Sequence, residues 1–233
     1  MSADSQNALV QLRKLITSSE LGEGGQLPTE RALAERLGVG RRALRAALDV
    51  LEEEGLVWRR QGKGTFIGQP PDPHGQIAAD IIGGVDGASI MEARLCIEPM
   101  LAALAAARAT ATDVDQMRRL VDHIGLSPVT ETAELWDGAL HRLIARVAGN
   151  PILLTAFQLI DEMRVREDWQ ALRERVRSAQ SLERSDREHR AIVEAIEAGD
   201  ALAARRAMTA HLSRLAGALV ALSSDSAAAE VTA

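Results

Sequence analysis

Asp137 and His141 stand four residues apart in LWDGALHRLIARVAGN, a stretch that otherwise reads as an amphipathic helix. That spacing puts both side chains on consecutive turns of one face, bordered by Leu140, Ile144 and Val147. An acid and an imidazole turned towards an apolar interior need partners: each other, a buried hydrogen-bond network or a metal ion. Two more histidines share the pattern. His189 is followed by Ile192, Val193 and Ile196 in EHRAIVEAIEAGD, and His211 sits between Met208 and Leu215 in MTAHLSRL. Taken singly, each reads as a hydrogen-bonded core histidine. Taken with Asp137, they offer three imidazoles and a carboxylate from three helices, the kind of inward-projecting set with which bundles bind metal. His74 and His123 lie outside this pattern. Arg94, on the face of Ile90, Ile97 and Leu101, aims an always-charged fork at the same interior. Its partner there is either an internal acid such as Glu98 or a ligand carboxylate.

A second chemistry-bearing pattern lies near the N-terminus. In GVGRRALRAALDVLEEEG, Leu44, Ala47, Leu48 and Leu51 form one helix flank, and Arg41, Arg42 and Arg45 cluster on another at the N-terminal end. An arginine presented there can make two hydrogen bonds to guanine O6 and N7 in a major groove and can also reach phosphates. Alone, such a cluster reads as a solvated basic face. The elements around it reverse that preference. Three short helical patterns, about Gln6–Ser18, Thr29–Leu37 and Arg41–Glu54, are stopped in the last two cases by Gly38 and Gly55. Two β-like runs, LVWRR and GTFIG, follow, with Gly62 and Lys63 at the tip between them. Three helices and a hairpin in this order make a winged helix-turn-helix.

The remaining elements must place the histidines and Arg94. With 233 residues, no Tyr, two Phe and three Trp, the core has to be aliphatic at helical spacing, and an all-strand fold is not expected. The net charge of -6 is uneven: residues 1–75 balance, and the acidity lies beyond them. One basic stripe is the electrostatic signature. The lone Cys96 forms no internal disulfide, no leader pattern opens the chain, and no apolar run reaches the roughly 18 residues of a membrane span. A cytoplasmic protein without a membrane partner is expected.

GQPPDPHGQ interrupts any helix or strand and marks a linker. The expected division is a DNA-binding domain over 1–68, a linker over 69–76, a helical domain over 77–222, and a disordered tail over 223–233. Beyond the linker, helices are predicted at about Ile77–Ile82, Ser89–Thr110, Ala111–Gly125, Thr130–Ala148, Pro151–Ala171, Leu172–Gln180, Ser185–Ala198 and Asp200–Leu222. Ser185-Asp-Arg-Glu188 fits a capping box, and Gly199-Asp200 ends one helix and caps the next. The fold class is mostly α: a winged helix-turn-helix with a small β-hairpin, then an antiparallel bundle of six or seven main helices.

QLPTERALAERLGVGRRALRAALDVLEEEGLVWRRQGKGTFIG closely resembles the winged-helix domain of bacterial GntR-family transcription regulators. The resemblance implies a homodimer bound to a pseudo-palindromic double-stranded operator. It carries DNA contacts onto Arg31, Arg41 and Arg45, and onto Gly62 as the wing-tip glycine. Gly40, Arg42 and Ala43-Leu44 depart from the family's common residues, so the operator cannot be borrowed from relatives. From about Ile90 to Leu219 the chain resembles the FCD ligand-binding domain of the FadR subfamily. The supporting pieces are MEARLCIEPMLAALAA, Asp137-x-x-x-His141 before Gly149-Asn150-Pro151, Glu188-His189 with Gly199-Asp200, and Met208-x-x-His211. This resemblance implies a divalent ion on Asp137, His141, His189 and His211, zinc first and nickel, manganese or iron as alternatives. It also implies a small carboxylate effector contacted by Arg94, with repression as the usual sense. Competing expectations are a metal-responsive regulator and a bundle that only dimerises. A metal-dependent hydrolase lacks a carboxylate at convincing spacing to serve as general base.

Overall fold

A computed structural model of the chain describes residues 1–16, 26–68, 85–126, 130–164 and 167–231. It divides into two compact units, Met1–Pro71 and Asp72–Ala233. Among the described residues there are ten helices and one two-stranded sheet. The linker over 69–76, with His74, and the helix expected at Ile77–Ile82 lie outside the described residues.

The first unit holds α1 (Ala3–Ile16), α2 (Glu30–Leu37), α3 (Arg41–Glu53), β1 (Val57–Arg60) and β2 (Gly64–Ile67). Thr29 caps α2 by accepting from the Ala32 amide at 3.3 Å, and Gly38 ends it at φ 63°, a left-handed conformation that glycine adopts without strain. The α3 flank predicted to be apolar is buried at Ala43, Leu44, Ala47, Leu48 and Leu51, against α1 and α2. Each buried leucine contributes about 2 kcal/mol by leaving water. The strands pair antiparallel with Trp58 opposite Phe66, whose rings stack at 4.7 Å. Arg60 and Lys63 close the intervening turn by an amide-to-carbonyl bond of 2.9 Å, with Gly62 at φ 74°. A turn with positive φ at its third position calls for glycine.

The second unit comprises α4 (Gly87–Ala106), α5 (Ala111–Leu126), α6 (Thr130–Val147), α7 (Pro151–Arg164), α8 (Glu167–Arg175), α9 (Ala179–Glu197) and α10 (Ala201–Val231). Helix α4 is the hub: it packs along α10 and also meets α6, α7 and α9. Helices α5 and α6 pair, and α9 bridges α5 and α10. Gly199 at φ 68° stops α9, and Asp200 accepts from the Ala203 amide at 2.9 Å to start α10, as expected.

Three boundaries differ from the sequence reading. Helix α9 begins six residues before Ser185, because Ser178 and Ser181 form the capping box, with mutual bonds of 2.8 and 3.1 Å. Glu188 then serves a tertiary contact instead. In the run Pro151–Ala171 the described residues are helical on both sides of 165–166, which lie outside them, and helix continues to Arg175, so no helix starts at Leu172. Helix α10 continues through Val231 where a disordered tail was expected, consistent with the high helix propensity of its Ala-rich end.

Candidate metal centre

Helix α6 presents Asp137 and His141, α9 presents His189, and α10 presents His211. All four are buried, and one ligand atom from each lies within 4.8 Å of the others. The structure thus gathers the full predicted set. The His189 and His211 rings stand 4.5 Å apart, and His141 lies 5.7 and 5.5 Å from them.

The orientation of the nitrogens is informative. His141 Nδ1 donates to Glu98 on α4, which leaves Nε2 turned inward without a hydrogen-bond partner. His211 Nδ1 donates to Glu188 at 3.0 Å. Both ring nitrogens of His189 are buried without a hydrogen bond, although Nε2 lies 3.0 Å from Asp137 Oδ1. A carboxylate on the far nitrogen fixes the tautomer and raises the basicity of the other nitrogen, as around ligating histidines. Burial pushes both His141 and His211 down, His211 to about 3 with the neighbouring His189 adding to the effect. Burial thus favours the neutral imidazole of His141 and of His211, the form that has a lone pair available. Burial alone would raise the Asp137 carboxyl, but the Arg164 guanidinium on its Oδ2 and the adjacent His141 hold it well below the usual range. Its Oδ1 is left facing His189 and, at 3.8 Å, His141. Three imidazole nitrogens and one anionic oxygen suit a divalent transition metal, and the orphaned buried nitrogens fit such an ion.

Arg94 is fully buried and bound to Glu98, Nε to Oε1 at 2.5 Å, while its Nη1 has no hydrogen-bond partner. Burial would raise Glu98, but Arg94 and His141 hold it far below the ordinary carboxylate range. The internal partner weighed for Arg94 is thus present, and Glu98 joins it to the histidine set. A pocket beside Asp137 is lined instead by Arg173, Arg177 and Arg214, together with Ser181 and Ser185. Arg164 bonds Glu134 at 3.0 Å as well as Asp137. Sequence spacing gave no role to Glu98 beyond Arg94, and none to Glu134, Arg173 or Arg177. His123 stacks on Trp136 at 4.4 Å, away from the cluster.

In the first unit, Arg31, Arg41, Arg42, Arg45, Gly62 and Lys63 are all solvent-exposed. Arg41 and Arg42 open α3. Arg45, one turn later, donates from Nε to Glu30 at 2.7 Å. Gly40 caps α3 without a side-chain bond, the consequence of the missing hydroxyl.

Residues 5–67 match the family of bacterial regulatory proteins, gntR family, and residues 89–214 match the FCD domain. A protein of Escherichia coli, named provisionally as the regulatory protein of an L-lactate dehydrogenase operon, is 35% identical over 213 residues, 87% of this chain and 81% of that one. The HTH-type transcriptional repressor NanR of Klebsiella aerogenes is 32% identical over 215 residues, 87% of this chain and 80% of that one. A solved structure titled for Lar, which controls expression of the Listeria monocytogenes agr system, superposes with a TM-score of 0.50 at 18% identity, covering 95% of this chain and 98% of that one. At that identity the likeness concerns the fold alone. The relatives are transcription regulators rather than enzymes, and no described helix is long and apolar enough to cross a membrane. The chain belongs to the GntR family of bacterial regulatory proteins: it is a DNA-binding transcription regulator in which a winged helix-turn-helix precedes an FCD domain.

Proposed function

We propose that this regulator changes its operator affinity in response to a small organic acid bound at a divalent metal ion held by Asp137, His141, His189 and His211. The observation that carries the reading is the convergence of those four donors, with His141 Nε2 and both nitrogens of His189 buried and lacking hydrogen-bond partners. A buried polar atom left in that state costs about 1–3 kcal/mol, and an ion removes the cost. Zinc is the first candidate for the donor set, and nickel, manganese or iron suit it too. An ion that accepts more than these four ligands supplies a position for a carboxylate. The name of the Escherichia coli relative refers to an enzyme of a hydroxy acid, which supports a small acid as the effector class.

On the DNA side, Arg41, Arg42 and Arg45 address the major groove, Arg31 a phosphate, and Gly62 with Lys63 the minor groove beside the wing. The chain acts as a homodimer on a pseudo-palindromic operator in the cytoplasm, within the FadR subfamily. Repression is the proposed sense, drawn from the name of the Klebsiella aerogenes relative. Elemental analysis of purified protein tests the centre: about one divalent ion per chain is expected, with none in His141→Ala or His211→Ala. Metal-free wild type, or equal metal in the variants, overturns the reading. Thermal-shift screening of carboxylates with and without chelator then tests the effector. A weak site whose occupancy alone changes operator affinity would instead make the ion the signal.

A further inference from the structure

A carboxylate can give a metal ion one oxygen or two, and the two oxygens of Asp137 face different partners. Oδ2 accepts a hydrogen bond from Nη2 of Arg164, the last residue of α7. Oδ1 is turned to the histidines, 3.0 Å from His189 Nε2 and 3.8 Å from His141 Nε2, the same nitrogens that lack hydrogen-bond partners. Three residues earlier on α6 stands a second buried acid, Glu134. Arg164 Nη2 donates to its Oε1 at 3.0 Å, while its Oε2 accepts from Arg173 at 3.2 Å and from Arg177 at 2.6 Å. Arginines thus engage both oxygens of Glu134 but only one of Asp137. Arg164 is itself buried, with no hydrogen bond from Nε or Nη1, so the two bonds from Nη2 set its orientation.

We propose that Arg164 is a positioning residue of the metal centre: by holding Oδ2 it confines Asp137 to ligation through Oδ1, which keeps one coordination position of the ion open to a ligand from outside. The inference rests on the reading of Asp137, His141, His189 and His211 as the ligand set. Each terminal nitrogen of a guanidinium carries two hydrogens in a fixed plane. With one hydrogen directed at Glu134 and the other at Asp137, the Asp137 carboxylate cannot turn both oxygens to the histidines without giving up a buried, charge-assisted bond. A chelating Asp137 would bring five protein donors to the ion, whereas Asp137 held by Arg164 brings four. The difference is one position, the one that a carboxylate effector takes in that reading. The same arrangement decides which acid ligates, because Glu134 has no oxygen left to offer.

A crystal structure of zinc-loaded, full-length wild type reads the ligation directly: one Asp137 oxygen on the ion and Arg164 still on the other is expected, and both oxygens on the ion overturns the proposal. Arg164→Gln, loaded with cobalt(II), tests the cause. The freed Oδ2 is expected to join the ion, which lowers the intensity of the visible cobalt absorption relative to cobalt-loaded wild type. Acetate and neutral imidazole, titrated as probes of the open position, should both bind the variant about 10–100-fold more weakly, the range for groups that orient a metal's ligands. An unchanged spectrum, a loss confined to acetate, which would make Arg164 only a source of charge, or wild type that binds neither probe overturns the proposal. If the variant does not fold, the wild-type structure decides. Wild type that takes up no metal overturns the underlying reading, which separates the two failures.

Discussion

At the residue scale, the proposed metal centre would depend on carboxylates that touch histidines as well as on the four donors. Glu98, on a different helix from His141, holds the proton on Nδ1 and so keeps Nε2 bare. Glu98→Gln preserves the shape but removes the charge, and should weaken metal binding by about 10–100-fold in a chelator competition assay. Glu188 plays the same part for His211 but also bonds Arg214 at 2.8 Å. Arg94→Ala should be worse for stability than for metal geometry. It strands the buried Glu98 charge, at a cost of about 3–5 kcal/mol, read as a lower urea midpoint in metal-free protein. The four donors were legible because helical spacing marks inward-facing polar residues. Glu98 was legible only as the local partner of Arg94, four residues away. Its contact with His141, 43 residues along the chain, follows from how α4 crosses α6, which no single-helix periodicity records. Glu134 was hidden for the same reason, since its arginines come from three later segments.

At the element scale, glycine stops such as Gly38 and Gly199 were legible because a left-handed residue ends a helix wherever the chain goes next. The start of α9 was not. Ser185-Asp-Arg-Glu188 has the spelling of a capping box, and so, less conspicuously, does Ser178 with Ser181. The distinction is measurable. Ser178→Ala removes the accepting oxygen for the Ser181 amide and should cost about 0.5–2 kcal/mol in thermal or urea unfolding. Ser185→Ala, inside the helix, should stay within about 0.5 kcal/mol. The reverse order would return the helix start to Ser185.

At the scale of the whole molecule, the DNA-binding domain and the domain proposed to sense an acid are separate compact units, so their energies can be perturbed separately and then tested for coupling. Arg41 and Arg45 are exposed, and neither packs in the core. Arg41→Ala and Arg45→Ala should therefore abolish the specific gel shift while leaving the melting temperature and metal content unchanged. Residual binding should depend on salt with a slope of about 0.9 per phosphate neutralised. Coupling is the stricter test. If the effector changes operator affinity by some factor, thermodynamic linkage requires the operator to change effector affinity by the same factor. Calorimetric titration of the acid into free protein and into the operator complex measures the second quantity, and fluorescence anisotropy with and without the acid measures the first. The two ratios should agree, typically at about 5–150-fold, and both should collapse to one in Asp137→Ala while that variant still binds operator. A ratio of one in wild type would mean that the acid occupies both DNA-binding and non-binding states equally, and the bundle would then be a ligand-binding dimer support rather than a sensor.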